Sequence, residues 1–287
     1  MKTLKRMLAI ALCAVLCIAL SACSLRNQPA EEPTTVINTA TVTIPEGFTV
    51  TQIAKRLEDA EVCSAADFIE ACKTVPEGYS TGSEESISKR LFPMEGFIFP
   101  DTYEFYKNET AENVMKKFLD NTNSKVDEAD FKRAEELGLT MDQVFTLASI
   151  IQAEASHSSE MPKVSGVFWN RLKNKADFPY IGSDVTRQYI DTKMKSYIEE
   201  NCLDYDALFA AYCTNDKYDL KTAGLPAGPI CNPGREAIQA ALYPDNDKYY
   251  YFFTDDQMNY YSFETLSQFQ TGWYNLKHFG SVSGAKE

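Results

Sequence analysis

The chain has 287 residues, with 41 acidic side chains against 28 basic ones and a formal net charge of −13. A negative surplus this large is repelled by nucleic acid and by anionic lipid, so neither is expected as a ligand. His157 and His278 are the only histidines; they are too few and too scattered to suggest a metal site, and no cofactor is expected.

The N-terminus reads as an export signal. Lys2, Lys5 and Arg6 precede an apolar stretch over 7–20, and Ser21, Ala22 and Cys23 follow. A basic start, a short apolar core and small residues at the cut describe a secretory signal over residues 1–22. Leu20-Ser-Ala-Cys23 resembles a bacterial lipobox, whose cysteine receives a diacylglycerol, so Cys23 is the expected lipidation site. The alternative is an uncleaved transmembrane helix, and the 17 residues over 7–23 are at the lower edge of a bilayer-spanning length. On either reading the rest of the chain is held at the outer face of the cell membrane. Residues 23–40, polar with Pro29 and Pro33, read as a disordered tether. Cleavage leaves 25 basic residues against 41 acidic ones, a net of −16. Such a surface is no obstacle to a carbohydrate polymer, which is held by stacking and hydrogen bonds. Five cysteines remain beyond Cys23: Cys63, Cys72, Cys202, Cys213 and Cys231. An odd number without C-x-x-C spacing argues against zinc and against a dense disulfide framework. A Cys63–Cys72 bridge with one further pair, or buried free thiols, are the two open readings.

Alternation at Val42 and Ile44 marks a strand, and Pro45-Glu-Gly47 a turn. A helix follows over 50–57, with Ile53, Ala54 and Leu57 on one face, and a second near 65–73 carries Phe68, Ile69 and Cys72. This strand–turn–helix pattern over 41–78 resembles the LysM-like domain found ahead of certain wall enzymes. Residues 79–92 are polar and mixed in charge up to Arg90, and read as a linker or mobile loop. The prolines and aromatics of 91–103 suit an extended segment with sharp turns. Helices are predicted over 111–121, 128–137, 140–154 and 160–173, the last with Pro162 tolerated in its first turn. Residues 178–189 read as a loop dense in hydrogen-bonding side chains. Asn232-Pro233 reads as an N-cap and first helical residue. Tyrosines and phenylalanines over 248–254 and 259–263 read as a hairpin around Asp255-Asp256. The expected fold is α+β: a small LysM-like domain, then a helix-rich α+β catalytic domain over 93–278 with a C-terminal β-hairpin.

One residue of the 140–154 helix stands out. Thr140 and Gln143 form a capping box at its start. Leu147, Ile150 and Ile151 lie within roughly 60° of Glu154 on the helical wheel, which puts that carboxylate on the apolar stripe near the helix C-terminus. Burial and the negative end of the helix dipole both disfavour its charged form. A glutamic acid kept protonated in this way is poised as a general acid. The bland alternative is an exposed carboxylate, or one paired with Lys163 or Arg171.

Five segments in order then match one pattern. Met94-Glu-Gly-Phe-Ile-Phe-Pro-Asp-Thr-Tyr103, Leu147-Ala-Ser-Ile-Ile-Gln-Ala-Glu154, Val167-Phe-Trp-Asn-Arg-Leu172, Ser183-Asp-Val-Thr186 through Tyr189, and Gly224-Leu-Pro-Ala-Gly-Pro-Ile-Cys-Asn-Pro-Gly234 resemble motifs of the YceG-like endolytic murein transglycosylases. The resemblance spans about 41–275. It implies cleavage of the β-1,4 bond between N-acetylmuramic acid and N-acetylglucosamine within peptidoglycan strands, leaving a 1,6-anhydro end, with the catalytic glutamate at Glu154. It also implies work near the membrane beside peptidoglycan synthases.

The residue types fit that chemistry. A retaining hydrolase needs two carboxylates, whereas a transglycosylase needs one, since the sugar's own C6 hydroxyl attacks. Asp184, beside Ser183 and Thr186, is the second carboxylate; positioning or charge stabilisation is one role, and a turn-forming Asx residue is the other reading. Asn170 and Arg171 are candidates for holding N-acetyl or stem carboxylate groups, with Arg171 equally open to a structural role at the Glu154 helix. Tyr189 is a candidate for stacking on a sugar ring. Glu95 and Asp101 read as turn or supporting residues. Where the family often has a glutamate this chain has Gln152, roughly 160° from Glu154 around the helix, so the chemistry is expected to survive the change. A non-catalytic wall-binding lipoprotein and a hydrolytic muramidase using Glu154 with Asp184 are the competing readings.

Overall fold

The computed structural model describes residues 38–279. The expected signal over 1–22, the lipid site Cys23 and nearly all of the tether lie outside them. No helix among the described residues is long and apolar enough to cross a membrane.

The first strand, β1 (Thr39–Thr43), leads through the Pro45–Gly47 turn into α1 (Val50–Asp59) and α2 (Ala65–Ala71). The short α3 (Glu84–Ile87) precedes β2 (Thr102–Tyr106), which pairs antiparallel with β1 so that Val42 faces Tyr103 and Thr39 faces Tyr106. The pairing thus joins chain on either side of the segment read as a linker. Alternation does the sorting: Tyr103 and Phe105 point inward while Thr102, Glu104 and Tyr106 do not. Val50, Ile53, Ala54 and Leu57 of α1 are fully buried, the face its periodicity predicts. An aromatic cluster closes the layer, with Phe118 of α4 (Ala111–Lys125) set edge-on to Tyr103 at 4.6 Å and to Phe105 at 5.4 Å between centroids.

Residues 80–90 are fastened rather than loose. The buried Arg90 guanidinium donates to the Thr81 carbonyl at 2.7 Å, the Ser86 hydroxyl at 2.7 Å, the Ala227 carbonyl at 2.9 Å and Asp142 at 2.6 Å. Polarity alone suggested mobility; the buried cation supplies the anchor that composition does not reveal.

After α5 (Glu128–Leu137) comes α6 (Met141–Glu154), opened by the expected box. The Gln143 amide donates to the Thr140 hydroxyl at 3.2 Å and the Thr140 amide to the Gln143 side chain at 3.0 Å. Every residue from Val144 to Ile151 is buried. The helix is therefore central to the core, covered all round, where the sequence suggested a single apolar stripe. A 3₁₀ turn (Ser158–Glu160) leads into α7 (Met161–Lys173). Residues 178–189, expected as a loop, contain the short helix α8 (Asp184–Gln188), which runs into a π turn over Tyr189–Lys193. Two further helices, α9 (Lys195–Glu200) and α10 (Tyr205–Tyr212), had no clear periodic signal. The next helix, α11 (Arg235–Leu242), packs along α6. Its N-cap is Gly234, two residues later than expected, because the Asn232 side chain is used elsewhere: it donates to the Phe48 carbonyl at 2.9 Å and accepts from the Ile98 amide at 2.8 Å. The strands β3 (Tyr251–Thr254) and β4 (Tyr260–Phe263) pair antiparallel around an Asp255 turn, and α12 (Leu266–Phe279), unforeseen, packs on them through Phe269 and Trp273 against Phe253. The architecture is α+β, with two separate two-stranded antiparallel sheets among the described residues. All five cysteines among the described residues are free thiols, of which Cys72, Cys213 and Cys231 are buried.

At the centre sits Glu95, with no exposed surface. Its carboxylate accepts from the Val50 amide at 3.1 Å, the Tyr189 hydroxyl at 3.1 Å and the Asn232 side-chain amide at 2.9 Å. Burial outweighs these donors and the nearby Lys193 charge, raising its pKa from 4.5 to about 7. Because the folded value is the higher one, Glu95 favours folding fully below about 4.5, and that contribution is lost as pH rises from about 4.5 to about 7. Glu95→Gln is expected to flatten the fall in Tm over that window, while costing about 1–3 kcal/mol at acidic pH by presenting an amide to buried donors. Thermal melts of both proteins between pH 4 and 8 check this; parallel curves would refute it.

Candidate active site

Glu154 is the last residue of α6, and the chain turns to extended geometry at Ala155. Its side chain is half-buried, and Oε1 accepts a hydrogen bond from the Ser183 hydroxyl at 2.6 Å. Burial of the carboxyl pushes its pKa up; the Ser183 bond and the Arg171 charge pull it down, the Asp184 charge adds to the rise, and the net shift is upward. Burial is thus the largest contribution to the upward shift at this position.

Ser183 occupies the N-cap position of α8, yet its side chain makes no capping bond. A serine there ordinarily stabilises a helix by about 0.5–2 kcal/mol through such a bond. Here the hydroxyl is turned to Glu154 instead. The serine is held by its neighbours: Thr186 donates to the Ser183 carbonyl at 2.8 Å, the Thr186 and Thr214 hydroxyls lie 2.9 Å apart, and the Gly182 amide donates to the Thr214 carbonyl at 2.8 Å. Asp184, exposed beside Ser183, accepts from Asn215 at 2.6 Å.

Arg171 is buried and spends its donors on backbone, Nε on the Tyr250 carbonyl at 2.7 Å and Nη1 on the Ile181 carbonyl. Its guanidinium lies 5.6 Å from the Tyr251 ring centre and 5.9 Å from that of Phe178. Gly182 has φ of +69°, and a Cβ there would stand 3.1 Å from Nη1, so glycine is needed twice over. Arg171 therefore fixes the approach to Ser183 and projects positive charge towards Glu154, with no direct ion pair between the two.

On the other side of α6, Gln152 accepts from the Gly234 amide at 2.9 Å and supports Glu46. Any side chain at Gly234 would collide with the Glu46 carboxylate. Ser149 continues the seam, accepting from the Ile230 amide at 3.0 Å. Segment 230–234 and the turn at 46–48 thus hold the back of the helix whose last residue is Glu154.

Comparison with known proteins places this geometry. A profile described as the YceG-like family matches residues 23–274. The chain belongs to the YceG-like family. It is 31% identical over 224 residues to an endolytic murein transglycosylase of Bacillus subtilis (strain 168), covering 74% of this chain and 58% of that protein. It is 24% identical over 234 residues to an endolytic murein transglycosylase of Streptococcus pneumoniae serotype 2 (strain D39 / NCTC 7466), covering 75% and 40%. The chain therefore spans about half the length of these curated relatives. A crystal structure of a YceG-like protein from Listeria monocytogenes superposes with a TM-score of 0.64 at 26% identity, over 80% of this chain and 75% of that one.

In this YceG-like chain, Ser183, Asp184, Thr186 and Arg171 gather around Glu154, by direct contact, by charge or by holding Ser183. Asn170 is turned away: its amide donates to the Asp247 carbonyl at 3.1 Å and the Tyr249 carbonyl at 2.9 Å, pinning the approach to β3. Tyr189 is corrected outright. Its ring has no exposed surface and its hydroxyl serves Glu95, so it has no face to offer a sugar. Thr214 and Asn215 were not among the candidates, because they lie outside the five segments that carry the resemblance. Of the two readings of Glu95, turn or supporting residue, the buried hydrogen bonds to Val50, Tyr189 and Asn232 fit the second.

Ser183→Ala removes the hydrogen bond that lowers Glu154's pKa, so the Glu154 carboxyl should titrate at higher pH than in the unsubstituted protein. Side-chain carboxyl NMR shifts across a pH series measure this, and an unmoved midpoint would exclude Ser183 as its donor.

Proposed function

We propose that this chain is an endolytic lytic transglycosylase of peptidoglycan, cleaving the β-1,4 bond between N-acetylmuramic acid and N-acetylglucosamine within glycan strands. The observation that supports it best is the Glu154 carboxyl, raised by burial and held by one serine hydroxyl, in a chain of the YceG-like family. Glu154 gives its proton to the glycosidic oxygen as the C1–O bond of the muramic sugar breaks. The same carboxylate then takes the proton of that sugar's C6 hydroxyl while O6 bonds to C1. The proton returns to Glu154, no water is consumed, and a 1,6-anhydro end remains. Asp184 supplies negative charge to the oxocarbenium-like state, its orientation set by Asn215. Ser183 and Arg171 hold the acid; Thr186 holds Ser183.

A hydrolytic muramidase is the second reading, favoured by the Asp184 charge acting on Glu154. Product chemistry separates the two: anhydro-muropeptides from purified sacculi support transglycosylation, reducing ends support hydrolysis, and undigested sacculi point to a wall-binding module. Glu154→Gln is expected to lower cleavage by about 10²–10⁴-fold, the usual contribution of a general acid–base, with an unchanged melting curve. Substantial residual turnover would remove Glu154 from the acid role.

The strand–helix–helix–strand arrangement of β1, α1, α2 and β2 supports a LysM-like unit that takes β2 as its second strand, drawing the far side of the linker into it. The N-terminal sequence supports export with a lipid on Cys23, a tether to the outer membrane face and work near peptidoglycan synthases. Cys23→Ala should release the protein from the membrane fraction. Retention with an uncleaved N-terminus would favour a transmembrane anchor.

A further inference from the structure

A cavity of about 1240 Å³ opens at the end of α6 remote from the acid, where Met141, Asp142, Phe145 and Thr146 form one wall. From Asp142 to Glu154 the helix rises about 18 Å at 1.5 Å per residue. The opposite walls are residues 222–227 of the glycine-rich motif and the end of α7, with Trp169, Leu172 and Lys173.

The rim is built with specific, costly contacts. The fully buried Arg90 side chain joins the loop at 81–86, the start of α6 and the Ala227 carbonyl. Desolvating such a pair is tolerated only with good geometry and further hydrogen bonds. Both neighbouring glycines serve it, since a Cβ at Gly82 would stand 2.9 Å from Arg90 Nη2 and one at Gly228 2.5 Å from its Nε. None of these groups touches the Glu154 cluster.

Charge distinguishes the lining from the rest of the protein. Of the ionic side chains around the cavity, Glu85 is paired with Lys89 at 2.8 Å and Asp142 with Arg90. That leaves Lys173, over the Trp169 ring at 5.4 Å, and Lys175 as cations without a carboxylate partner among the described residues, both exposed. Two uncompensated cations facing one cavity, in a chain of net charge −13, are complementary to an anion. Both cluster and cavity are carried by the same two segments, α7 through Arg171 and Lys173, and 214–227 through Thr214 and the 222–227 wall.

We propose that this cavity binds the carboxylate-bearing peptide branch of the glycan strand, with Lys173 and Lys175 as its anion contacts, at a distance from the bond being cut. This rests on the transglycosylase reading and adds to it a demand for an acidic branch remote from the scissile bond. Binding energy gained there is available for orienting the strand at Glu154.

The test is equilibrium binding to the Glu154→Gln protein, which separates recognition from turnover. The probes are soluble glycan oligomers bearing acidic peptides and the same oligomers stripped of peptide by an amidase. The peptide-bearing oligomers should bind at least fivefold more tightly, and Lys173→Ala with Lys175→Ala should bring that ratio close to one. No preference in the parent protein, or a preference untouched by the double substitution, would overturn the proposal. Should Glu154-intact protein bind with the preference yet cut no strand, the transglycosylase reading fails while the peptide site stands.

Discussion

Glu95 accepts hydrogen bonds from Val50, Tyr189 and Asn232 while wholly enclosed, and these donors come from three distant stretches of chain. A buried carboxylate or its donors left unmatched would cost several kcal/mol, so the three stretches cannot move independently. Each leads to α6. Val50 begins α1, just after the 46–48 turn that touches Gln152 and Gly234; Asn232 belongs to the segment whose Gly234 amide meets Gln152. Tyr189 closes the helix that starts at Ser183. One buried carboxylate thereby ties the back of α6 to the serine in front of Glu154.

That constraint explains how a half-buried acid keeps its orientation at a helix end, where backbone order is ordinarily weakest. Ser149 and Gln152 hold α6 from one side through the 230–234 segment. Ser183 holds the carboxylate from the other, and Arg171 and Thr214 hold the chain on which Ser183 sits. The acid's own environment stays sparse. With one donor at Oε1, burial outweighs the hydrogen bond and the net shift of the Glu154 pKa is upward. Glu95, with three donors, is a contrasting case in which fuller pairing still leaves a raised carboxyl, because no solvent reaches it at all.

Legibility in the sequence followed the strength of local signals. The helix at Glu128–Leu137 matched its predicted span, and the capping box at Thr140 fixed the start of α6, because both rest on local pattern. The strands Tyr251–Thr254 and Tyr260–Phe263 lie within the aromatic runs on either side of Asp255-Asp256. Elements whose residues are chosen by tertiary contact were missed. Asn232 looks like an N-cap and is one by type, but buried partners at Phe48, Ile98 and Glu95 outbid the helix for its side chain. Residues 184–188 carry no apolar period, and their helix is set by Thr186 and Thr214. Glu154 stood out in the sequence because a carboxylate among apolar neighbours contradicts local preference, and the structure half-buries it with its pKa raised by burial.

Ser183 carries the same lesson one step further. A serine directly before a helix is read as a cap, and the local optimum would turn its hydroxyl back to the α8 amides. The hydroxyl instead donates to Glu154 at 2.6 Å, so the first turn of α8 goes without that side-chain cap. A hydrogen bond to an ionised carboxylate is stronger than one to a neutral acceptor, so this bond favours the charged form of Glu154. The consequence is electrostatic: the Ser183 hydroxyl pulls the Glu154 pKa down against the burial that raises it, which a hydroxyl turned back to the α8 amides could not do.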